Sequence, residues 1–170
     1  MKLFSVSRYL FMVARSDIFI DPDSSLCLVV SLKNYTMNIL IIDKSKLYSE
    51  SLFHLINSYF DFDVVGCKSD TEGVEYLEQA TRTLTKIDVL FIDVKNDEIL
   101  NSRPLLLANQ YKKTTNSDLS IIQFSMAEIT PLMQDAIDIG YVDFYLSKAI
   151  ETEDLKLFIS NTKFLKYPFD

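Results

Sequence analysis

The strongest constraint on this chain is a series of short, continuously apolar runs, each closed by one polar residue. Ile39-Leu40-Ile41-Ile42 ends at Asp43, and Ile87-Asp88-Val89-Leu90-Phe91-Ile92 ends at Asp93. Ser120-Ile121-Ile122-Gln123-Phe124 ends at Ser125, and Phe144-Tyr145-Leu146-Ser147 ends at Lys148. Runs of this length are too short for core helices and lack the polar alternation of strands with one wet face, so they read as strands buried on both faces, as in a parallel sheet. In an open parallel sheet the groups at the carboxyl ends of the strands gather in one crevice. Two carboxylates, a hydroxyl and an ammonium therefore form a candidate reactive pocket.

From Met37 onward, strands expected near 38–43, 62–67, 87–92, 119–124 and 142–147 alternate with amphipathic segments, the pattern of consecutive βαβ units. The first helix is expected over about 46–60, with Ser45 as N-cap and Leu47, Phe53, Leu55, Ile56 and Phe60 on its core face. The second covers about 70–83 behind a Ser69/Glu72 capping box, and the third starts near Ser102-Arg103-Pro104, where a first-turn proline is tolerated. The fourth runs from about Ala127 to Ile139 and stops at Gly140; the last spans about 151–166, with Lys163 and Lys166 near its end. The expected fold is α/β: a doubly wound, five-stranded parallel sheet flanked by helices, in a domain of residues 37–170.

Residues 1–36 stand outside this rhythm. Asp21-Pro22-Asp23-Ser24-Ser25 reads as a turn and Ser24 to Leu32 as a candidate strand. Two readings stay open: an appended segment that adds a strand or helix, or residues upstream of a natural start at Met37. The apolar opening from Met1 to Ala14 is interrupted by Arg8 and is too short for a membrane span.

Several function classes drop out. With a net charge of −7 among 170 residues, the surface is not one made for phosphate backbones or anionic lipid, so neither direct nucleic-acid binding nor membrane association is expected. Cys27 and Cys67 match no metal or disulfide spacing and read as reduced thiols of a cytoplasmic protein. His54 is the sole histidine and reads as a helix-face residue, which leaves no zinc site. The three glycines are too scattered for a phosphate loop, and no Ser-His pair suggests an enzyme.

These strand ends, in this order, resemble the receiver domain of bacterial response regulators, the CheY-like phospho-acceptor module of two-component signalling. The resemblance spans about residues 37–166 and rests on Ile41-Ile42-Asp43, Leu90-Phe91-Ile92-Asp93, Ser125 and Tyr145-Leu146-Ser147-Lys148. Tyr59-Phe60-Asp61-Phe62-Asp63-Val64-Val65-Gly66-Cys67 is similar to the second-strand region of the NarL/FixJ subclass. The resemblance implies a flavodoxin-like fold in which Asp93 is the phosphoacceptor, Lys148 pairs with a phosphoryl oxygen, and Ser125 and Tyr145 form the switch. It implies Mg²⁺ held by Asp43, Asp93 and the backbone carbonyl of Lys95. The implied partners are a histidine kinase or phosphotransfer protein upstream and, downstream, a protein output partner or a second copy in a homodimer.

Three departures accompany the resemblance. Where the family carries two adjacent acids, this chain has Asp43-Lys44; an ammonium there removes a ligand and lowers affinity for Mg²⁺, or pairs directly with Asp93 in place of the metal's charge. Ala149 follows Lys148 where the family has proline, so a trans bond is expected. The loop Val94-Lys95-Asn96-Asp97-Glu98-Ile99 lacks the usual Met-Pro and Asp-Gly, and Asp97 reads as a solvated loop acid or a replacement carboxylate. Beside a phosphorylated response regulator, two alternatives remain: a phosphorylation-independent pseudo-receiver acting as an interaction or dimerisation module, and the receiver part of a NarL/FixJ-type transcription regulator without its DNA-binding domain.

Overall fold

The computed structural model describes residues 36–115 and 118–161. The expectations for residues 1–35, including Cys27 and the strand from Ser24 to Leu32, lie outside the described residues, as do those for Lys163 and Lys166. Five strands are present: β1 (Asn38–Ile42), β2 (Asp63–Cys67), β3 (Val89–Ile92), β4 (Ser120–Ser125) and β5 (Phe144–Ser147). They alternate with α1 (Lys46–Tyr59), α2 (Asp70–Thr83), α3 (Arg103–Thr114), α4 (Pro131–Asp138) and α5 (Thr152–Asn161), with a single 3-10 turn at Ile99–Asn101 before α3.

All pairings are parallel and the strand order is β2-β1-β3-β4-β5. The burial of each strand follows from its place in this order. The inner strands β3 and β4 are buried at every residue, and β1 at all but Asn38, whereas edge strands β2 and β5 are mostly half-buried or exposed. Alternate residues face opposite layers, the period-two rule of a pleated strand. Leu40, Ile42, Leu90, Ile92 and Ile121 pack with Leu77, Leu105, Tyr111 and Met133 from α2, α3 and α4. Ile39, Ile41, Val89, Phe91, Ile122 and Phe124 pack with Leu52 and Ile56 of α1 and Leu155 and Ile159 of α5. The chain order reverses between β1 and β3, and the crevice at such a reversal is where ligands bind in open α/β sheets.

Local chemistry sets the helix ends. Ser69 Oγ accepts from Glu72 N–H at 3.2 Å, but Glu72 reaches back to Lys68 N–H at 2.8 Å, so the capping box closes one residue earlier than expected. At α4, Gly140 has φ +70°, with Gly140 N–H donating to Ile137 O and Tyr141 N–H to Ala136 O, both at 2.9 Å: a Schellman end. Gly73 allows close approach of α2 to β1, since a Cβ there would lie 2.5 Å from Ile42 Cδ1.

Three sequence expectations are corrected. The fourth helix begins at Pro131, not Ala127, because Thr130 Oγ1 caps Met133 N–H at 3.3 Å and Pro131 fills the first helical position. On α1, Ile56 is buried and Leu55 and the C-cap residue Phe60 are partly buried against the core as expected, but Ser49 and Leu52 complete the buried face, while Leu47 is 70% and Phe53 37% exposed. Ser45 occupies the N-cap position of α1 without a side-chain cap bond; its own N–H donates to Asp43 Oδ1 at 2.8 Å.

Candidate functional site

The sheet brings Asp43, Asp93 and Lys148 together. Asp43 follows β1 and Asp93 follows β3; their N–H groups donate to Cys67 O and Ile42 O, both at 3.1 Å, which carries the strand ladder one residue past each strand. Lys148 follows β5, and its N–H donates to Ser125 O at 2.9 Å. Its ammonium reaches across the sheet top to Asp43 Oδ2 at 2.7 Å and Asp93 Oδ2 at 2.5 Å. The Lys148 side chain is 2% exposed, Asp43 4% and Asp93 31%. The ammonium also lies 4.8 Å from the centre of the Tyr48 ring and 5.9 Å from that of Phe124, whose faces favour a desolvated cation. Of the two carboxylates, Asp93 is the one open to an incoming reagent.

That opening is a cleft of about 760 Å³. Asp43, Lys44, Asp93 and Lys95 line it, together with Asp70 and Arg103 at the starts of α2 and α3. Lys44 does not pair with Asp93, which corrects that alternative: its ammonium sits 2.7 Å from Asp70 Oδ2. The hydrogen bond from Lys44 to Asp70 holds the Lys44 pKa above its usual value, against a smaller desolvation effect, and the charges of Asp70, Glu98 and Asp93 act in the same direction. Asp97 is exposed and does not line the cleft; Glu98 does, paired with Lys95 at 3.2 Å. The Lys148–Ala149 bond is trans.

Ser125 and Tyr145 do not line this cleft; both are bonded to Ala127 in the loop between β4 and α4. Ser125 is buried, and its Oγ accepts from Ala127 N–H at 3.4 Å. The Tyr145 hydroxyl donates to Ala127 O. Burial, then the charges of Asp93 and Glu128, push the Tyr145 hydroxyl pKa up.

Two side chains that sequence reasoning passed over fix the segment after Asp93. Gln123, fully buried on β4, donates to Val94 O at 2.6 Å and accepts from Val94 N–H at 3.4 Å. Asn96 Nδ2 donates to Glu128 O at 2.7 Å and ties this loop to the one after β4. An amide inside the otherwise apolar Ile121-Ile122-Gln123-Phe124 was the available signal, because a buried amide needs partners.

The donors that the resemblance assigns to Mg²⁺ do not fit that ion. Asp43 Oδ1 accepts from Ser45 N–H and Oδ2 from Lys148, and Asp93 Oδ2 accepts from the same ammonium, so of the four carboxylate oxygens Asp93 Oδ1 alone is without such a bond. The Lys95 carbonyl accepts from Glu98 N–H at 2.9 Å and so closes a turn. Lys44, Lys95 and Arg103 bring positive charge to the cleft lining. Mg²⁺ demands near-ideal octahedral oxygen coordination and gives up its water reluctantly, so donors turned toward N–H groups serve it poorly. Among the described residues, no group of three or more His, Cys, Asp or Glu side chains is placed to hold a metal ion.

No family model and no curated protein matches the chain. Solved structures do. Chemotaxis protein CheY4 of Vibrio cholerae aligns with TM-score 0.57 and 15% identity over 75% of this chain and 98% of its own. A response regulator receiver domain protein from Clostridium thermocellum aligns with TM-score 0.54 and 24% identity over 76% and 98%. A putative pilus assembly-related protein from Burkholderia pseudomallei aligns with TM-score 0.58 and 17% identity over 79% and 95%. No helix among the described residues is long and apolar enough to cross a membrane. At these identities the likeness concerns architecture: the chain has the CheY-like receiver fold.

Proposed function

We propose that this chain is a response-regulator receiver in which Asp93 accepts a phosphoryl group from a histidine kinase or phosphotransfer protein and passes the signal on by protein–protein contact. The observation that carries this reading is the half-open Asp93 carboxylate, held at the switch point of a receiver fold by the buried Lys148 ammonium. In the transfer, an Asp93 oxygen forms the new P–O bond as the bond from phosphorus to the donor's imidazole nitrogen breaks, and the nitrogen keeps the electron pair. Such transfers call for positioning and charge neutralisation rather than covalent help from the protein. Lys148 already sits on Asp93 and needs only a small shift to meet a phosphoryl oxygen. Ser125 supplies a hydroxyl for another oxygen, and Tyr145 follows the loop that both residues hold.

The test is intact-mass measurement of the full chain after incubation with acetyl phosphate. The expected result is a gain of one phosphoryl group that is absent in Asp93→Asn. A second reading, a pseudo-receiver that binds partners or itself without phosphorylation, is favoured by Lys44 in the cleft. If no mass is gained with or without Mg²⁺, this second reading stands and the acceptor role falls.

A further inference from the structure

We infer that the cleft beside Asp93 excludes divalent cations, and that Lys44 together with Lys148 supplies there the positive charge that a metal would otherwise bring. The exclusion follows from this chain's own hydrogen bonds. Most of the oxygens on the cleft floor are already engaged: Asp43 Oδ1 with Ser45 N–H and Oδ2 with Lys148, Asp93 Oδ2 with Lys148, and the Lys95 carbonyl with Glu98 N–H, which leaves Asp93 Oδ1 as the carboxylate oxygen without such a bond. A cation entering the cleft would have to displace these bonds while facing Lys44, Lys95 and Arg103 in its lining and the buried Lys148 ammonium behind the carboxylates.

Lys44 is placed to act rather than merely to obstruct. Its ammonium is stored on Asp70, the first residue of α2, at 2.7 Å, and both side chains are roughly half or more exposed at 63% and 47%. Exposed pairs of this kind are worth little, about 0–1 kcal/mol, so the ammonium is readily released. A phosphoryl group on Asp93 would bring about two negative charges into the same cleft. Lys44 then exchanges one carboxylate for a more highly charged oxyanion, and Asp70 is left in solvent at the first turn of α2, where a carboxylate is favourable. The charge-supplying role rests on the acceptor reading above; the exclusion of cations does not.

The decisive experiment titrates the full chain with Mn²⁺ and follows the free-ion electron paramagnetic resonance signal, with Mn²⁺ standing in for Mg²⁺ as another cation served by oxygen ligands. The wild type is expected to bind no Mn²⁺ with Kd below about 1 mM, while Lys44→Asp gains affinity by at least about tenfold. Lys44→Asn, with circular dichroism to check folding, serves if the aspartate variant does not fold, and should gain in the same direction. Wild-type binding below about 1 mM that is lost in Asp43→Asn overturns the inference. Unchanged weak binding in every variant shows that Lys44 is not what excludes the ion, and overturns its assignment.

A second arm uses acetyl phosphate, from which acetate leaves with the electron pair as the Asp93 P–O bond forms. The labelling rate should agree within about twofold between EDTA and Mg²⁺, and Lys44→Gln should slow it about tenfold. Labelling that requires Mg²⁺ overturns the inference. Absence of labelling under all conditions removes the acceptor reading and Lys44's role in it, while the Mn²⁺ titration still decides the exclusion.

Discussion

Replacing Lys148 by methionine keeps much of the side chain's length and removes its charge, so it isolates what the ammonium does at the sheet top. At 2.7 and 2.5 Å and an effective dielectric near 20, each contact is worth about 6 kcal/mol of Coulomb attraction. Most of this offsets the desolvation of three charges, several kcal/mol per buried ion, so the intact triad is close to neutral in its net contribution. The balance is lost when one member is removed. In Lys148→Met, Asp43 is left 4% exposed with no counter-ion and Asp93 faces it across the former bridge. Breaking a buried pair in this way costs about 3–5 kcal/mol, a large part of the stability of an ordinary domain.

Urea denaturation of the full chain near neutral pH, followed by circular dichroism, should show that loss. Asp43→Asn should cost more than Asp93→Asn, because Asp93 is 31% exposed and water compensates part of its loss. The double variant Lys148→Met/Asp43→Asn should lose less than the sum of its parts, since it removes the stranded charge together with its partner. A cost below about 1 kcal/mol for Lys148→Met would refute the reasoning, because it would mean that no buried carboxylate depends on this ammonium.

Three other outcomes follow from backbone and burial. Leu84 ends α2 with φ +54° and is 75% exposed, so Leu84→Gly relieves left-handed strain at little loss of packing and should stabilise by about 1 kcal/mol, read as a rise in melting temperature. Gly73→Ala sets a Cβ 2.5 Å from Ile42 Cδ1 and 3.0 Å from Cγ1, and should destabilise by about 1–3 kcal/mol in urea titrations despite alanine's better helix propensity; Ile42→Val, which removes Cδ1, should recover part of it. Burial, then the charge of Glu72, push the Cys67 thiol up to about 11 from 9.0, so the folded state keeps a proton that the unfolded chain loses. Stability from this group is therefore complete below pH 9 and is lost as pH rises toward 11, by about 2–3 kcal/mol, a slope that Cys67→Ala should flatten in alkaline melts.

The parts of the fold legible in the sequence are those governed by a single local rule. Strands β1 and β3 announce themselves because residues buried on both faces are apolar, β4 does so through Ile121, Ile122 and Phe124, and Gly140 announces a helix end because only a positive φ completes the Schellman turn. Asp43, Asp93 and Lys148 were legible as strand ends, and the topology converts those ends into one cluster. What escaped depends on three-dimensional competition for hydrogen bonds. Nothing local to Lys95 says that its carbonyl closes a turn on Glu98, and nothing local to Lys44 says that Asp70, 26 positions on, outcompetes Asp93 for its ammonium. The start of α4 was misplaced for a related reason: Ala127 and Glu128 suit a helix, but their carbonyls are claimed by Tyr145 and Asn96.

These claims on the loop after β4 also bear on how an event at Asp93 travels. The segment leaving Asp93 is fixed at Val94 by both amide atoms of Gln123, so it behaves as an extension of β4 rather than as free loop. Asn96 then reaches from it to Glu128, and Tyr145 reaches from β5 to Ala127 beside it. The longest bonds of this set, both at 3.4 Å, are the one Ser125 Oγ accepts from Ala127 N–H and the one Gln123 Oε1 accepts from Val94 N–H. A hydrogen bond to an ionised group is worth about 1.5–3 kcal/mol, whereas an ordinary neutral one contributes about 0.5–1.5. A phosphoryl oxygen within reach of Ser125 would accept from the hydroxyl's O–H, a bond that Oγ can add while still accepting from Ala127 N–H. The chain would therefore move at residue 127, which shares its two backbone groups between Ser125 and Tyr145, only if the hydroxyl had to turn to make that bond.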